Sequence, residues 1–356
     1  MAPKQNVIQT KTFDPTFKIR RPARPPLIAV TMGDPAGIGA EVALKALAAL
    51  SRNSKVQYLL VGDHAHLQKC AKKFKVRLPL VWVNDAELAR EVKKGVAVLD
   101  LGGVRKHEWG KITASNGVAA VRYICEGARL ALEGEVDALV TAPISKEAIH
   151  LAGCPYPGHT ELLATLSNTK DYAMMMVGGP FKIALNSIHL SLNEALTRVK
   201  TPLVWEKLEL TRKALIEWFG YKEPRIAVAG LNPHAGEGGA FGKEEIKVLA
   251  PLVKDAQELG WKVSGPHPPD TLFYWAAQGK YDAVLCLYHD QGLIPFKLQA
   301  FDSGVNLTLG LPFVRTSPDH GTAFDIAGKG IARPTSMVSA LRLAEQLSRT
   351  KAPSPR

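Results

Sequence analysis

The sequence predicts an α/β protein with covered sheets, folded as two domains. Three observations carry that reading. Short apolar runs alternate along the chain with stretches whose apolar residues recur at helical spacing. The runs are continuous rather than alternating, as in strands buried on both faces. The length, 356 residues, exceeds what a single hydrophobic core usually supports.

The ordered chain begins with the apolar run Leu27 to Gly33, breaks into the loop Gly33-Asp-Pro-Ala-Gly-Ile-Gly39 and resumes as a helix from Glu41 with Val42, Leu44, Leu47 and Leu50. Strand, glycine loop and helix form a βα unit. Further strands are read at Tyr58 to Val61, Val81 to Val83, Val96 to Leu101 and Ala138 to Thr141. Between the last two lies a helix with Val118, Val121, Cys125, Ala128 and Leu132 on one face. The alternation continues with strands at Tyr172 to Val177, Lys182 to Ile188, Arg225 to Leu231 and Asp282 to Tyr288. Helices are marked by Val204, Leu208, Thr211, Leu215 and Trp218, and by Ile246, Leu249, Val253 and Leu259. A last helix runs from about Pro334, with Met337, Leu341, Ala344 and Leu347 inward.

Composition excludes several classes. Apolar residues make up 46 %, which rules out general disorder. No window approaches the apolar length of a membrane span. Cys70, Cys125, Cys154 and Cys286 are widely separated and read as small buried residues in a reducing, cytoplasmic compartment. The net charge of +12 sits mostly at the ends: residues 1–26 hold +5, the last eight +3, and residues 27–348 only +4. Both ends, 1–26 and 351–356, read as disordered, solvated tails rather than nucleic-acid-binding arms.

Three histidines have unusual surroundings. His189 follows Asn186-Ser-Ile, His234 lies in Gly230-Leu-Asn-Pro-His-Ala-Gly-Glu-Gly-Gly239, and His289 lies in Leu287-Tyr-His-Asp-Gln-Gly292. Each follows a strand, where open α/β sheets build their sites, so the three either converge on a divalent metal or are ordinary satisfied histidines. His64 and His66, among lysines at a polar helix start, read as solvated. Pro157-Gly-His-Thr-Glu161 opens a helix, so His159 and Thr160 either hold an anion or simply cap it. Lys297 and Arg315 are lone cations in apolar stretches, and a half-buried cation needs an acidic partner from protein or ligand. Asn306 is an amide within a strand, placed to orient the same ligand. Asp319 to Gly330 is either a connecting loop or a nucleotide cradle; Gly33 to Gly39 matches no phosphate-loop pattern.

Met32-Gly-Asp-Pro-Ala-Gly-Ile-Gly39, Tyr156-Pro-Gly-His-Thr-Glu161, Leu231-Asn-Pro-His-Ala-Gly-Glu-Gly-Gly239, Pro269-Asp-Thr-Leu-Phe273, Tyr288-His-Asp-Gln-Gly292 and Gly310-Leu-Pro-Phe-Val-Arg-Thr-Ser317 together resemble the 4-hydroxythreonine-4-phosphate dehydrogenase family of pyridoxal phosphate biosynthesis. The resemblance covers roughly residues 27 to 348; Ala40 departs from it, where a proline commonly stands. It implies an isocitrate/isopropylmalate dehydrogenase-like fold of two α/β/α domains with a cleft between them. Residues 27–150 with 300–350 would form the nucleotide-side domain, and 151–299 the metal- and dimer-side domain. It further implies NAD- (or NADP-) and metal-dependent oxidation of 4-phosphooxy-L-threonine, then decarboxylation to 3-amino-2-oxopropyl phosphate. By the same carry-over, His189, His234 and His289 hold one divalent metal (Zn²⁺, Mg²⁺ or Co²⁺), and His159, Thr160, Lys297, Asn306 and Arg315 bind substrate. The Asp319 to Gly330 segment, with His320, Gly321 and Asp325, would face the cofactor, and a homodimer would carry its site near the subunit interface. Asp270 or Asp290 takes the hydroxyl proton or orients a histidine. The nearest rival is D-threonate or D-erythronate 4-phosphate dehydrogenation on the same scaffold. More distant rivals are dihydrodiol dicarboxylate oxidation, phosphate acetyltransfer and nucleic-acid binding.

Overall fold

The structure, a computed structural model, describes residues 24–51, 56–104 and 108–350. The tails up to residue 23 and from residue 351, which carry half of the net positive charge, lie outside the described residues. Arg24 to Pro26 are held against the first half of the sheet: Arg24 pairs with Glu87 (3.3 Å), and Arg90 donates to the Pro25 carbonyl (2.9 Å).

One twelve-stranded sheet runs through the molecule. In the first half of the chain it takes β1 (Leu27–Thr31), β2 (Gln57–Gly62), β3 (Leu80–Val83), β4 (Val96–Asp100) and β5 (Ala138–Thr141). These are joined by α1 (Gly39–Leu50), α2 (His64–Lys73) and α3 (Ala114–Leu132). After α4 (Lys146–Leu151) and α5 (His159–Leu166) come β6 (Ala173–Gly178), β7 (Phe181–Leu185), α6 (Leu192–Thr197), α7 (Thr201–Glu217) and β8 (Ile226–Ala229). The chain closes with α8 (Ala250–Glu258), β9 (Val263–His267), α9 (Pro269–Ala277), β10 (Ala283–Cys286), α10 (His289–Ala300), β11 (Val305–Leu309), β12 (Val314–Pro318) and α11 (Thr335–Arg349).

The strand order is β3-β4-β2-β1-β5-β12-β11-β6-β7-β10-β8-β9. Both outer parts are parallel; the centre is not, because β11 runs antiparallel to both β12 and β6, and β6 to β7. The α/β class and the cleft are therefore as the sequence predicts, with the two halves sharing one sheet. All residues of β1, β5, β8, β10 and β12 are buried, which is why those runs carry no alternation.

Some faces differ from the sequence reading. On α3 the buried residues include Tyr123, Ile124, Gly127, Ala128 and Ala131, while Val118 is 56 % exposed. A Cβ on Gly117 would sit 2.0 Å from the Ala148 carbonyl, so small residues let α4 lie directly on α3 and displace the apolar stripe outward. Ile246 and Leu259 are likewise exposed, and only Leu249 and Val253 of that stripe are buried. His66 is buried against Trp109 (ring centroids 5.7 Å), contrary to its solvated reading. Strand β9, short and polar at its end, gave no sequence signal. Among the described residues no helix is long and apolar enough to cross a membrane.

Candidate active site

A cavity of about 900 Å³ opens where the two halves meet, lined from β5, α5, β6, β11 and β12 and from the loops after β7, β10 and β12. Arg315, on β12, reaches it although its residue is only 2 % exposed. Its Nε and Nη2 donate to Thr141 Oγ1 (3.1 and 2.6 Å), and Nη1 donates to Thr308 Oγ1 (3.0 Å). Among the described residues no carboxylate lies within ion-pair distance of it. Burial pulls its pKa down to about 10, partly opposed by Glu161. A guanidinium buried on hydroxyls alone lacks the counter-charge that normally offsets its desolvation.

Acceptors and donors without partners line the same cavity. His159 Nε2, Asn186 Oδ1, Asn306 Oδ1 and His320 Nε2 are buried with no hydrogen-bond partner, and all four residues line the cavity. Buried polar atoms left open cost about 1–3 kcal/mol each, so such a cluster marks a place where a ligand completes the bonding. His159 opens α5, where helix N–H groups favour negative charge, with Thr160 beside it. Burial, and then the charge of Arg315, holds His159 neutral, well below its ordinary 6.5.

His189 and His289 face each other across one side of the cavity, with ring centroids 5.8 Å apart. The pairing follows from topology: β7 and β10 are parallel neighbours, so the residues beyond their ends meet. His289 Nδ1 lies 2.7 Å from Asp290 Oδ1, the arrangement that keeps Nδ1 as donor and leaves Nε2 with its lone pair. Burial, then Lys146 and His289, lowers the pKa of His189 and favours its neutral, ligating form.

His234 stands apart. It is 62 % exposed, does not line the cavity, and has Asp270 (4.0 Å) and the Phe241 ring (6.3 Å) as neighbours. The cause is a left-handed run over His234, Ala235, Gly236, Glu237 and Gly238 (φ 52, 53, 79, 41 and 65°), which turns the chain outward after β8. Three of these are not glycine, and each such residue costs about 1–2 kcal/mol. Buried Glu245 holds the turn, accepting from the backbone N–H of Leu231 (2.8 Å) and Asn232 (2.7 Å) and from Asn232 Nδ2 (2.9 Å). Within one chain, then, two of the three histidines converge. Among the described residues no group of three or more His, Cys, Asp or Glu side chains is placed to hold a metal ion.

The remaining candidates divide. Lys297 is paired with Asp319, which lines the cavity while Lys297 sits behind it; its acidic partner comes from the protein. His320 and Gly321 line the cavity, and Asp325 is exposed outside it. Asp270 and Asp290 do not line it; each lies beside a histidine ring. Sequence reasoning missed Thr141, Thr308 and Asp319, the partners of the two cations, and Glu245, which sets the His234 turn. Asn186, three residues before His189, also lines the cavity with its Oδ1 open. Two facing imidazoles, one of them with a carboxylate-oriented nitrogen, form a donor set that suits a divalent cation. The open His320 Nε2 and the uncrowded Gly321 backbone leave room for a cofactor at the loop after β12.

Comparison with known proteins bears on this geometry. The profile of the family "Pyridoxal phosphate biosynthetic protein PdxA" matches residues 54–344. A 4-hydroxythreonine-4-phosphate dehydrogenase from Caulobacter vibrioides is 44 % identical over 327 residues, covering 90 % of this chain and 97 % of that protein. A D-threonate 4-phosphate dehydrogenase from Salmonella typhimurium is 45 % identical over 324 residues, covering 90 % and 98 %. The crystal structure of a 4-hydroxythreonine-4-phosphate dehydrogenase from Klebsiella pneumoniae superposes with a TM-score of 0.83 at 42 % identity, covering 91 % of this chain and 98 % of that one.

Proposed function

The chain belongs to the pyridoxal phosphate biosynthetic protein PdxA family, and from that premise we propose that it oxidises the secondary alcohol of 4-phosphooxy-L-threonine with NAD and a divalent cation. The resulting β-keto acid loses CO₂ and yields 3-amino-2-oxopropyl phosphate. The observation that carries the reading is Arg315, a buried cation whose protein partners are all neutral hydroxyls. A phosphate supplies the missing charge and accepts charge-assisted bonds. Neutral His159 and the first-turn N–H groups of α5 add donors from the adjacent side. Asn306 Oδ1 accepts from a substrate hydroxyl or ammonium, fixing which face of the reacting carbon is presented. Lys297 joins by exchanging Asp319 for the ligand's anionic group.

His189 and His289 would hold the cation, with Asp290 orienting His289. When bound, the cation supplies Lewis-acid polarisation of substrate oxygen and the nicotinamide cofactor supplies the oxidant. His320, Gly321 and Asp325 take the cofactor side. His234 completes the metal set from a second copy of the chain. Support for a homodimer comes from α10, which begins at His289 and exposes Ile294 (61 %) and Leu298 (81 %), with Phe301 (71 %) following at its end. Such a contiguous apolar stripe is rarely left to solvent. Four unpaired cysteines fit a cytoplasmic enzyme.

Steady-state NAD reduction with 4-phosphooxy-L-threonine, D-threonate 4-phosphate and D-erythronate 4-phosphate tests the assignment. The amino-acid phosphate is expected to lead in kcat/KM. A second reading, sugar-acid phosphate oxidation, is favoured by the Salmonella relative. It replaces the first if either sugar-acid phosphate leads by about tenfold, or roughly 1.4 kcal/mol in the transition state.

A further inference from the structure

The loop Gly33 to Gly39, glycine-rich yet matching no phosphate-binding pattern, lies beneath another segment of the chain. Ile38 N–H donates to the Thr322 carbonyl (3.0 Å), and Gly110 N–H donates to the Ala36 carbonyl (2.9 Å). A Cβ on Gly37 would meet Thr322 at 3.0 Å, one on Gly110 the Phe324 carbonyl at 2.8 Å, and one on Gly328 the Trp109 indole at 2.5 Å. Residues 319–332 are therefore seated in a fitted bed made by the first loop and by Trp109-Gly110. These glycines serve chain-to-chain approach, which accounts for a loop that the phosphate-cradle reading left unexplained.

The far end of the same segment is tied down by charge. The Lys45 ammonium donates to Glu41 Oε1 (2.6 Å), the Gly330 carbonyl (2.8 Å) and the Ala332 carbonyl (2.9 Å), so all three of its donors are used. Glu41, fully buried on α1, also accepts from Ala332 N–H through the same oxygen (2.9 Å). Two residues one helical turn apart thus grip three backbone groups of an irregular segment nearly 290 positions away. Burying such a pair is costly unless its geometry does something.

We propose that Glu41 and Lys45 are positioning residues for the dinucleotide: they fix residues 319–332 so that His320, Gly321 and Asp325 are presented to it. The inference rests on the reading that this segment holds the cofactor. The pair acts through the segment and touches neither Arg315 nor His159, which β12 and α5 place independently. Its loss weakens cofactor binding and spares the anion pocket.

Calorimetric titration of the full-length protein with NAD, and separately with 4-phosphooxy-L-threonine, tests this. Lys45→Met leaves Glu41 buried and unpaired and risks misfolding, so Glu41→Gln/Lys45→Met, which removes both charges, is measured beside it. The folded variant is expected to bind NAD about tenfold more weakly, as for a lost supporting contact. Its affinity for the phosphorylated substrate stays near wild type, and Lys45→Arg recovers most of the NAD affinity. Wild-type NAD affinity in the double variant, or equal loss of both ligands, overturns the proposal. Hydrogen exchange on the unaltered protein separates the two layers. Slower exchange across 319–332 on adding NAD supports the cofactor reading, and its absence removes that reading and the proposal together.

Discussion

In the cavity Arg315 is 2 % exposed and braced by two threonine hydroxyls. His189 and His289 face each other in the same cavity, while His234 sits 62 % exposed on a left-handed turn outside it. Arg315 and its hydroxyl braces, the core of the proposed anion pocket, come from one chain, because β5, β11 and β12 are hydrogen-bonded in one sheet. The histidine wall brings two imidazoles together within one chain, and the third histidine of the proposed metal set is held away by the left-handed turn. Rigid sheet positions suit recognition of a fixed charge; a projecting turn suits a group delivered to a neighbour.

The largest expected effect tests the incomplete wall. His234→Ala abolishes turnover and stoichiometric metal binding, and His289→Ala does the same. Co-expressed, the two variants recover roughly a quarter of wild-type activity, since half the dimers are mixed and each mixed dimer has one intact site. No recovery in isolated mixed dimers would place His234 in its own subunit's site, or outside the site altogether, and erase the contrast.

Next in size is Arg315→Met. Loss of a desolvated charge contact costs about 3–4 kcal/mol, so kcat/KM falls by roughly 10²–10³. The Tm is expected to hold or rise, because an apolar side chain of similar volume avoids the desolvation of an unpaired guanidinium. A collapse in Tm would make Arg315 a structural residue and would falsify the view of it as a waiting ligand site.

The smallest effect concerns pH. The folded state holds His159 neutral well below 6.5, by burial and by the nearby Arg315. The unfolded chain takes up that proton near its ordinary pKa and the folded chain resists it. Stability is therefore lost as pH falls below about 6.5 toward the depressed folded value, and His159 contributes no such loss above it. His159→Asn should flatten the acid limb, so urea unfolding at about pH 7.5 and 5.5 should differ less in the variant than in wild type. Equal slopes would show that the anion pocket exerts no such pressure on His159.

Much of the sheet was legible because burial on both faces leaves a direct trace, an unbroken apolar run such as Leu27 to Thr31. Arg315 was legible for the converse reason, as a charge where a run should be apolar. Its partner Thr141 was not, since 174 residues separate them and nothing local to either marks the contact. His66 misled, because lysines around it signal solvent while Trp109, from a distant loop, covers it. The three histidines were found by their place after strands, but a strand end does not say which way the next residue turns.

By itself the sequence determined the class of fold, the family motifs and the residue types that could recognise a phosphate and a metal. Those depend on local pattern and composition. Only the tertiary structure decided which of them meet. Adjacency of β7 and β10 joins His189 to His289, the left-handed turn held by Glu245 sends His234 outward, and the Glu41–Lys45 grip seats a segment from the other end of the chain. Contacts of that kind are set by how strands order in a sheet and how backbone turns are held, neither of which any stretch of neighbouring residues encodes alone.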